Sequence, residues 1–247
     1  PQRVMDQAQA PIEAQQPQQA EAQQPQQAEA QQPQAPEAQK VDTEVLVSDL
    51  KSDDNEKKAG AIDKIAEYVQ GDPEVALQVV SEPIMQALTS IINEDTTNLQ
   101  GPSEEQIKVA QKVAKGEKLT PEEDKLSEQL SPRDMANKNR IFALYTLAMI
   151  QKLQRDELDQ YIETQKQNGE QPIEPLKLND LIGYQDIVNT IKNDSRPEVQ
   201  IAAIQALKYI VRPEDEATVK EVLADSLKST DKEVKDAAQD VVDMYKK

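Results

Sequence analysis

The stretch DSRPEVQIAAIQALKYI, residues 194–210, decides the fold of this 247-residue chain. Its apolar side chains return at intervals of three and four residues, so they share one side of an α-helix, and the pattern predicts a helix that buries that side. No stretch of strand length alternates convincingly between apolar and polar residues. The sequence therefore predicts an all-α protein. The positions that carry this spacing in the deciding stretch are Val199, Ala203, Ala206, Leu207 and Ile210.

The deciding stretch is one copy of an internal repeat. DDNEKKAGAIDKIAEYV at 53–69 and STDKEVKDAAQDVVDMY at 229–245 superimpose on it without gaps, and NKNRIFALYTLAMI at 137–150 fits the same frame when Ala143 is aligned with Ala203. Repeated helices of this kind indicate a stack of similar units, each too small to bury its own apolar side. The last two units are each preceded by a further segment with helical periodicity, at 178–192 and 216–228.

The repeated unit resembles the HEAT-repeat family, in which a helix and a turn precede a second helix that opens with D-x-x-P-E-V-R-x-A-A-x-x-A-L. DSRPEVQIAAIQAL follows that pattern, except that Gln200, and Lys235 in the last unit, stand where the family frequently has Arg. The match is clearest over 178–247. The resemblance implies a short HEAT-like solenoid of three to five helix pairs, stabilised because each pair stacks on the next.

The N-terminal segment, residues 1–40, has a different composition. From Gln15 the octapeptide QQPQQAEA occurs twice and is followed by QQPQAPEA, so a proline interrupts any helix every eight residues. The larger aliphatic side chains are only Val4, Met5 and Ile12, too few to offset the entropy of ordering the chain. We expect a disordered or extended Gln/Pro/Ala-rich tether; a tail that serves solubility alone is the alternative.

The remaining chain divides into three predicted parts. Residues 41–100 hold N-terminal HEAT-like helices, residues 101–133 a polar helical hairpin, and residues 134–247 the C-terminal HEAT-like repeats, interrupted by a loop at 165–177. Long loops inside compact helical arrays are often used for binding, so this loop is a candidate for partner contact. In the hairpin, lysines at helical spacing indicate either an anion contact or, as we favour, a solvated face: Lys108, Lys112 and Lys115.

The composition excludes most enzyme chemistry. The chain has 28 Lys and Arg against 46 Asp and Glu, a net charge of −18, no His, no Cys and six Gly. Catalytic triads, cysteine nucleophiles and the usual zinc sites therefore lack their residues, and no glycine-rich phosphate loop is present. The acidic charge also disfavours nucleic acid. The longest apolar run, residues 141–150, is half the length of a bilayer span. We predict no catalytic residue, no cofactor and no metal. The alternative that the sequence leaves open is a catalytic pair of carboxylates that face one cleft.

These observations predict a non-enzymatic scaffold that binds one or more proteins in a larger assembly, in which self-association is left open. Solenoids offer extended surfaces rather than pockets, so we expect the second helices to present a polar ridge to the partner and the tail to supply a docking motif. The predicted ridge consists of Gln200, Gln205, Lys208, Arg212, Lys235 and Gln239, and the predicted docking motif of Val4, Met5 and Ile12.

Two other functions fit the same residues. One is a HEAT-like accessory or maturation factor, lyase-like or chaperone-like, that acts on a partner protein. The other is a purely structural component of a cell envelope. Tethers rich in Gln, Pro and Ala favour an exported, periplasmic bacterial protein, and the absence of Cys is compatible with an oxidising compartment or with the cytoplasm.

Overall fold

The computed structural model describes residues 40–246, so the predicted tether and its docking residues Val4, Met5 and Ile12 lie outside the described residues. Within that range the chain forms helices and no strand, which confirms the all-α prediction. The α-helices are α1 (Thr43–Leu50), α2 (Asn55–Gln70), α3 (Pro73–Val79), α4 (Glu82–Ile92), α5 (Glu104–Ala114), α6 (Pro121–Ser127), α7 (Pro132–Gln167), α8 (Tyr184–Asn193), α9 (Pro197–Ile210), α10 (Glu216–Leu223) and α11 (Lys232–Asp243).

Four helices pack side by side in chain order: α2 on α7, α7 on α9, and α9 on α11. These are the four segments of the sequence repeat, and we call them the second-helix layer. Behind them, α1 packs on α2, α4 on α7, α8 on α9 and α10 on α11, while α4 also contacts α1 and α8, and α8 contacts α10. The result is four helix pairs in two layers, which confirms the predicted HEAT-like helical-repeat solenoid.

Small and branched apolar residues fill the space between neighbouring pairs. Ala203 and Ala238, at the same place in consecutive repeats, are fully buried and let the helices approach closely, while Leu147 and Leu207 fill the layer beside them. Burying a leucine side chain stabilises the fold by about 1.5–3 kcal/mol. The stack therefore derives its stability from contacts between repeats.

Three helices begin where the sequence has Asp, Thr or Ser directly before Pro, a pattern that predicts a capped helix start. Asp72 accepts hydrogen bonds from the first-turn amides of α3, Thr120 forms a capping box on α6, and Ser131 caps α7, each just before a proline at the first helical position. A proline loses no hydrogen bond there because the first amides of a helix have no partner within it.

Two buried arginines of α7 tie the helix pairs together. Arg140 Nε donates to Ile92 O at 2.8 Å, at the end of α4, and its guanidinium pairs with Asp194, which precedes α9. When the repeats are aligned, Arg140 occupies the position of Gln200. The repeat at 137–150 therefore has the Arg that HEAT repeats frequently carry at this position, although the next repeat does not. Arg155 Nη1 donates to Ile210 O at 2.8 Å and to Asp215 Oδ2 at 2.9 Å. Each arginine thus satisfies the carbonyl end of one helix and a carboxylate beside another.

The structure also differs from the predicted boundaries. The helix α7 continues to Gln167, so it takes in the start of the segment predicted as a loop. The predicted helix at 178–192 is a 3-10 turn followed by α8, because Gly183 adopts φ 82° between them. A Cβ at Gly183 would lie 2.5 Å from Thr89 and 2.7 Å from Leu147, so only glycine fits this close approach. The predicted helix at 216–228 ends at Leu223 and continues as a 3-10 turn over Ser226–Lys228.

Of the helices between residues 40 and 246, none by itself has the length and hydropathy of a membrane span. The consecutive helices α3 and α4 reach that composition together, but they are bent by 64° at the break between them.

Candidate protein-binding surface

One face of the second-helix layer is open to solvent. The first helices of each pair pack behind α2, α7, α9 and α11, so side chains that point away from α4 and α8 share a common face. We call this the open face. Its central part, on α7 and α9, carries large apolar side chains that are partly exposed: Phe142 is 42% exposed, Tyr145 37% and Tyr209 51%.

The helical register of α7 explains why its aromatic residues are exposed. Ala143, Leu144 and Leu147 point into the stack and are fully buried. Phe142 and Tyr145 lie on the other side of the same helix, since residues one or two apart do not share a helix face. The ammonium group of Lys138 lies 5.7 Å from the centre of the Phe142 ring, close enough for a cation–π interaction.

Exposed charges lie beside the aromatic residues of the open face. Lys138 of α7 is exposed at one side of the aromatic residues, while Asp236 and Asp240 of α11 are exposed at the other. Lys208 of α9 pairs with Asp240, which connects α9 to α11, whereas Asp236 forms no ion pair among residues 40–246. The aromatic residues therefore have an exposed lysine, Lys138, beside them on α7 and exposed aspartates on the other side of α9, on α11.

The predicted ridge residues are divided among different surroundings. Lys208 and Arg212 both form ion pairs between helices: Lys208 with Asp240, and Arg212 Nη2 with Asp159 Oδ2 at 2.6 Å on α7. Gln205 is half-buried on the open face, one turn before Tyr209. The two cations of the predicted ridge are thus used within the stack, where they connect α9 to its neighbours.

The other three ridge residues lie away from the aromatic residues. Gln200 is half-buried, on a different side of α9 from Tyr209. Lys235 is exposed and Gln239 donates to Asp243 Oδ1 at 2.8 Å, and both lie on a different side of α11 from Asp240. Since Asp240 faces α9, the structure places Lys235 and Gln239 towards the free end of the stack.

Sequence reasoning did not identify the exposed aromatic residues. The run IFALYTLAMI predicts a core helix, and its alanine and leucine positions are indeed buried. The signal that was available is the repeat frame itself: Tyr145 aligns with the polar Gln205, whereas Phe142 aligns with the buried Ala202 and carried no such signal. A large aromatic residue at a position that is polar in another repeat indicates an exposed site.

A second polar cluster lies inside the stack, around the buried Arg155 and Asp215 pair. Tyr184 is almost fully buried beside it, and burial raises the pKa of its phenol, with smaller contributions from Asp215 and Glu221. The cluster lies where α7, α8 and the end of α9 meet. Over residues 40–246, no group of three or more Asp or Glu side chains is arranged to hold a metal ion.

Comparisons with known proteins add little to this description. No protein-family model matches the chain, and no curated protein matches it. Among solved structures, the chain is similar to the designed armadillo repeat protein YIII(Dq)4CqI, with 19% identity, coverage of 81% of this chain and 98% of that chain, and a TM-score of 0.25. The packing of the helices, rather than this similarity, defines the fold as a helical-repeat solenoid.

Proposed function

We propose that this chain is a protein-binding scaffold and that the open face is its binding surface. The observation that carries the proposal is the grouping of Phe142, Tyr145 and Tyr209 on that face. The chain has only seven Phe and Tyr residues in all. Three exposed rings on one face are costly for a protein that meets only water, because aromatic side chains have the largest apolar areas.

Aromatic residues supply much of the binding energy at protein interfaces, where they are enriched over the rest of the surface. A stack of helix pairs presents such residues along a continuous surface rather than in a pocket. The charges beside the aromatic residues favour one orientation of the partner. A partner segment with basic groups near the aspartates of α11 and acidic groups near Lys138 would match them. Rim charges of this kind mainly affect the rate of association and the choice of partner.

We also propose that residues 1–40 link the scaffold to a larger assembly, such as one in a bacterial cell envelope. The proposal rests on composition: three proline-punctuated octapeptides have few apolar side chains and reach far, at about 3.1 Å per residue when extended. Deleting residues 1–40 and comparing the proteins that co-purify from the native host tests this separately from the open face. Loss of a co-purifying protein on deletion supports the link; an unchanged set contradicts it.

The open face is tested by truncating its aromatic residues together. The variant Phe142→Ala/Tyr145→Ala/Tyr209→Ala is expected to lose the protein partner that the full chain retains in a pull-down from its native host. Helicity and the unfolding midpoint of the variant are measured in parallel, because the side chains are half-exposed and their loss should leave the fold intact.

The matched control for this variant is Tyr161→Ala. Tyr161 is 55% exposed and also belongs to α7, but it lies in the C-terminal part of that helix, beyond the repeat segment at 137–150. The control should retain the partner. Equal recovery of the partner by the triple variant and the control would contradict the assignment of the open face.

A further inference from the structure

The α5–α6 hairpin leaves an apolar side of α5 uncovered. Ile107 is 44% exposed and Val113 54%, and the small residues Ala110 and Ala114 are exposed between them. These residues follow the spacing of one helix face, so they form a continuous strip that we call the α5 strip. Together with Leu126 and residues at the base of the hairpin, such as Pro102 and Gln129, they line an open groove of about 720 Å³.

The hairpin cannot cover this strip by itself. No residue of α6 is buried, and Val109 is the one buried residue of α5. Polar contacts hold the two helices together: Lys112 Nζ donates to Glu123 Oε1 at 2.5 Å, and Gln106 Nε2 donates to Gln129 O at 2.9 Å. A helix of eleven residues is marginal alone in water, so an amphipathic helix of this length normally depends on a partner for its apolar side.

The charges beside the α5 strip indicate which partner fits. Along one edge of the strip lie Glu104, Lys108, Gln111 and Lys115, at successive spacings of four, three and four residues. Over residues 40–246, none of the three charged members of this edge forms an ion pair, whereas Lys112 on the other side of α5 is paired. The edge is acidic at the start of the helix and basic at its end.

This edge is complementary to itself when two copies of α5 run in opposite directions. Antiparallel pairing about a two-fold axis brings the same edge of both helices together with reversed order. Glu104 of each copy then faces Lys115 of the other, and Lys108 faces the neutral Gln111. Parallel pairing would instead place this edge on opposite sides of the two helices, so its acidic and basic ends would not meet.

We propose that the chain self-associates through the α5 strip, with α5 of a second copy lying antiparallel in the groove. At the centre of the contact, Ala110 of both copies allows the helices to approach within about 8–10 Å, the usual distance between packed helices. On each side, Ile107 of one copy covers the Val113 and Ala114 end of the strip of the other. Two hairpins thus complete a four-helix arrangement whose apolar interior neither hairpin has alone.

The first measurement is the mass of the full chain in solution by sedimentation over about 1 to 500 µM, the range in which a small interface of one helix pair dissociates. The expected result is a rise from the 27.6 kDa monomer towards twice that mass. Val113→Asp should abolish the rise, because it buries a charge in the contact. A chain that stays monomeric over the whole range overturns the proposal and leaves the groove to a different protein.

Charge exchange tests the antiparallel arrangement itself. Glu104→Lys and Lys115→Glu should each weaken self-association by about tenfold, because each places two like-charged pairs in the dimer. A mixture of the two single variants should associate, since both pairs are then opposite in charge, and the double variant Glu104→Lys/Lys115→Glu should regain the original affinity. Glu122→Lys, on the exposed side of α6, is the matched control and should change nothing. A dimer in which neither the mixture nor the double variant recovers affinity overturns the arrangement.

Discussion

The stack of helix pairs and the α5–α6 hairpin are built from the same kind of amphipathic helix, yet they bury their apolar sides to different extents. In α9 seven of fourteen residues are buried, and in α5 one of eleven. The charged contacts differ as well: the Arg155–Asp215 pair is buried inside the stack, and the Lys112–Glu123 pair lies at the surface of the hairpin. An amphipathic pattern therefore indicates that a helix has a side to bury, and the neighbouring helices decide whether that side is covered.

The largest expected difference between the two regions concerns their ion pairs. Arg155→Met should lower the free energy of unfolding by about 3–5 kcal/mol, because it leaves the Asp215 carboxylate buried without its cation. Urea unfolding followed by circular dichroism measures this. Lys112→Met is the matched change in the hairpin and should leave the unfolding midpoint unchanged, since both members of the Lys112–Glu123 pair are partly exposed to solvent.

The Arg155 prediction has an internal check. Adding Asp215→Asn to Arg155→Met removes the unpaired charge and should recover part of the lost stability. An Arg155→Met protein as stable as the unmodified chain would mean that water reaches this pair and that the junction of α7 and α9 is less closed than the structure shows.

The next difference concerns apolar side chains. Leu147 is fully buried between α7 and its neighbours, so Leu147→Ala should cost about 2–5 kcal/mol through lost burial and the cavity left behind. Val113→Ala in the hairpin should change the free energy of unfolding of the monomer by no more than about 0.5 kcal/mol, because truncating an exposed side chain removes few contacts. Both values come from urea unfolding at a concentration below that of self-association. Equal costs would contradict the contrast between a packed stack and an open hairpin.

A smaller effect is expected at the helix caps. Ser131 Oγ accepts from Asp134 N at 3.1 Å at the start of α7, and Ser103 Oγ accepts from Gln106 N at 3.2 Å at the start of α5. Ser131→Ala should cost about 1 kcal/mol of global stability. Ser103→Ala should instead speed amide exchange within α5 and leave global unfolding unchanged, because α5 buries a single residue and we expect the hairpin to open without the stack. Hydrogen exchange by mass spectrometry separates the two outcomes.

The smallest effect concerns pH. The hydrogen bond from Lys112, with a further one from the Thr120 amide, lowers the pKa of Glu123 below its ordinary value of 4.5. A carboxyl group with a lowered pKa stabilises the folded hairpin above the unfolded value and stops doing so as the pH falls through the folded value. Amide exchange in α6 should therefore rise as the pH drops below about 4.5, after correction for intrinsic rates.

The controls for the pH prediction come from neighbouring carboxylates. Glu123→Gln should remove this pH dependence from α6. Glu122→Gln should leave it in place, because the Glu122 carboxylate forms no hydrogen bond or ion pair among residues 40–246. A pH response that persists in Glu123→Gln would assign the stabilisation of the hairpin to a different group.

Much of the repeat architecture was predictable because it depends on local pattern. The spacing of Val199, Ala203 and Leu207 predicted a buried helix side, and the self-alignment predicted that 53–69, 137–150, 194–210 and 229–245 are equivalent; the structure confirms both. The ion pairs were not predictable, since Arg140–Asp194 and Arg155–Asp215 join residues more than fifty positions apart.

The binding surface was predictable only in part. The sequence predicted a polar ridge on the second helices, and the structure uses Lys208 and Arg212 of that ridge in ion pairs with neighbouring helices. The exposed Phe142 and Tyr145 belong to a run whose composition indicates a core helix. Composition describes the whole run, whereas exposure is a property of each position and depends on what packs against it.

By itself, the sequence determined that the chain from residue 41 onwards is mostly helical, where capped helices such as α3, α6 and α7 begin, and which residues repeat, because spacing, capping and proline act over a few neighbouring residues. Only the tertiary structure decided that the stack covers the α9 side chains, that the α5 strip and the aromatic residues of the open face stay exposed, and which charges are paired. The physical reason is that burial and ion pairing depend on helices that meet in space from distant parts of the chain.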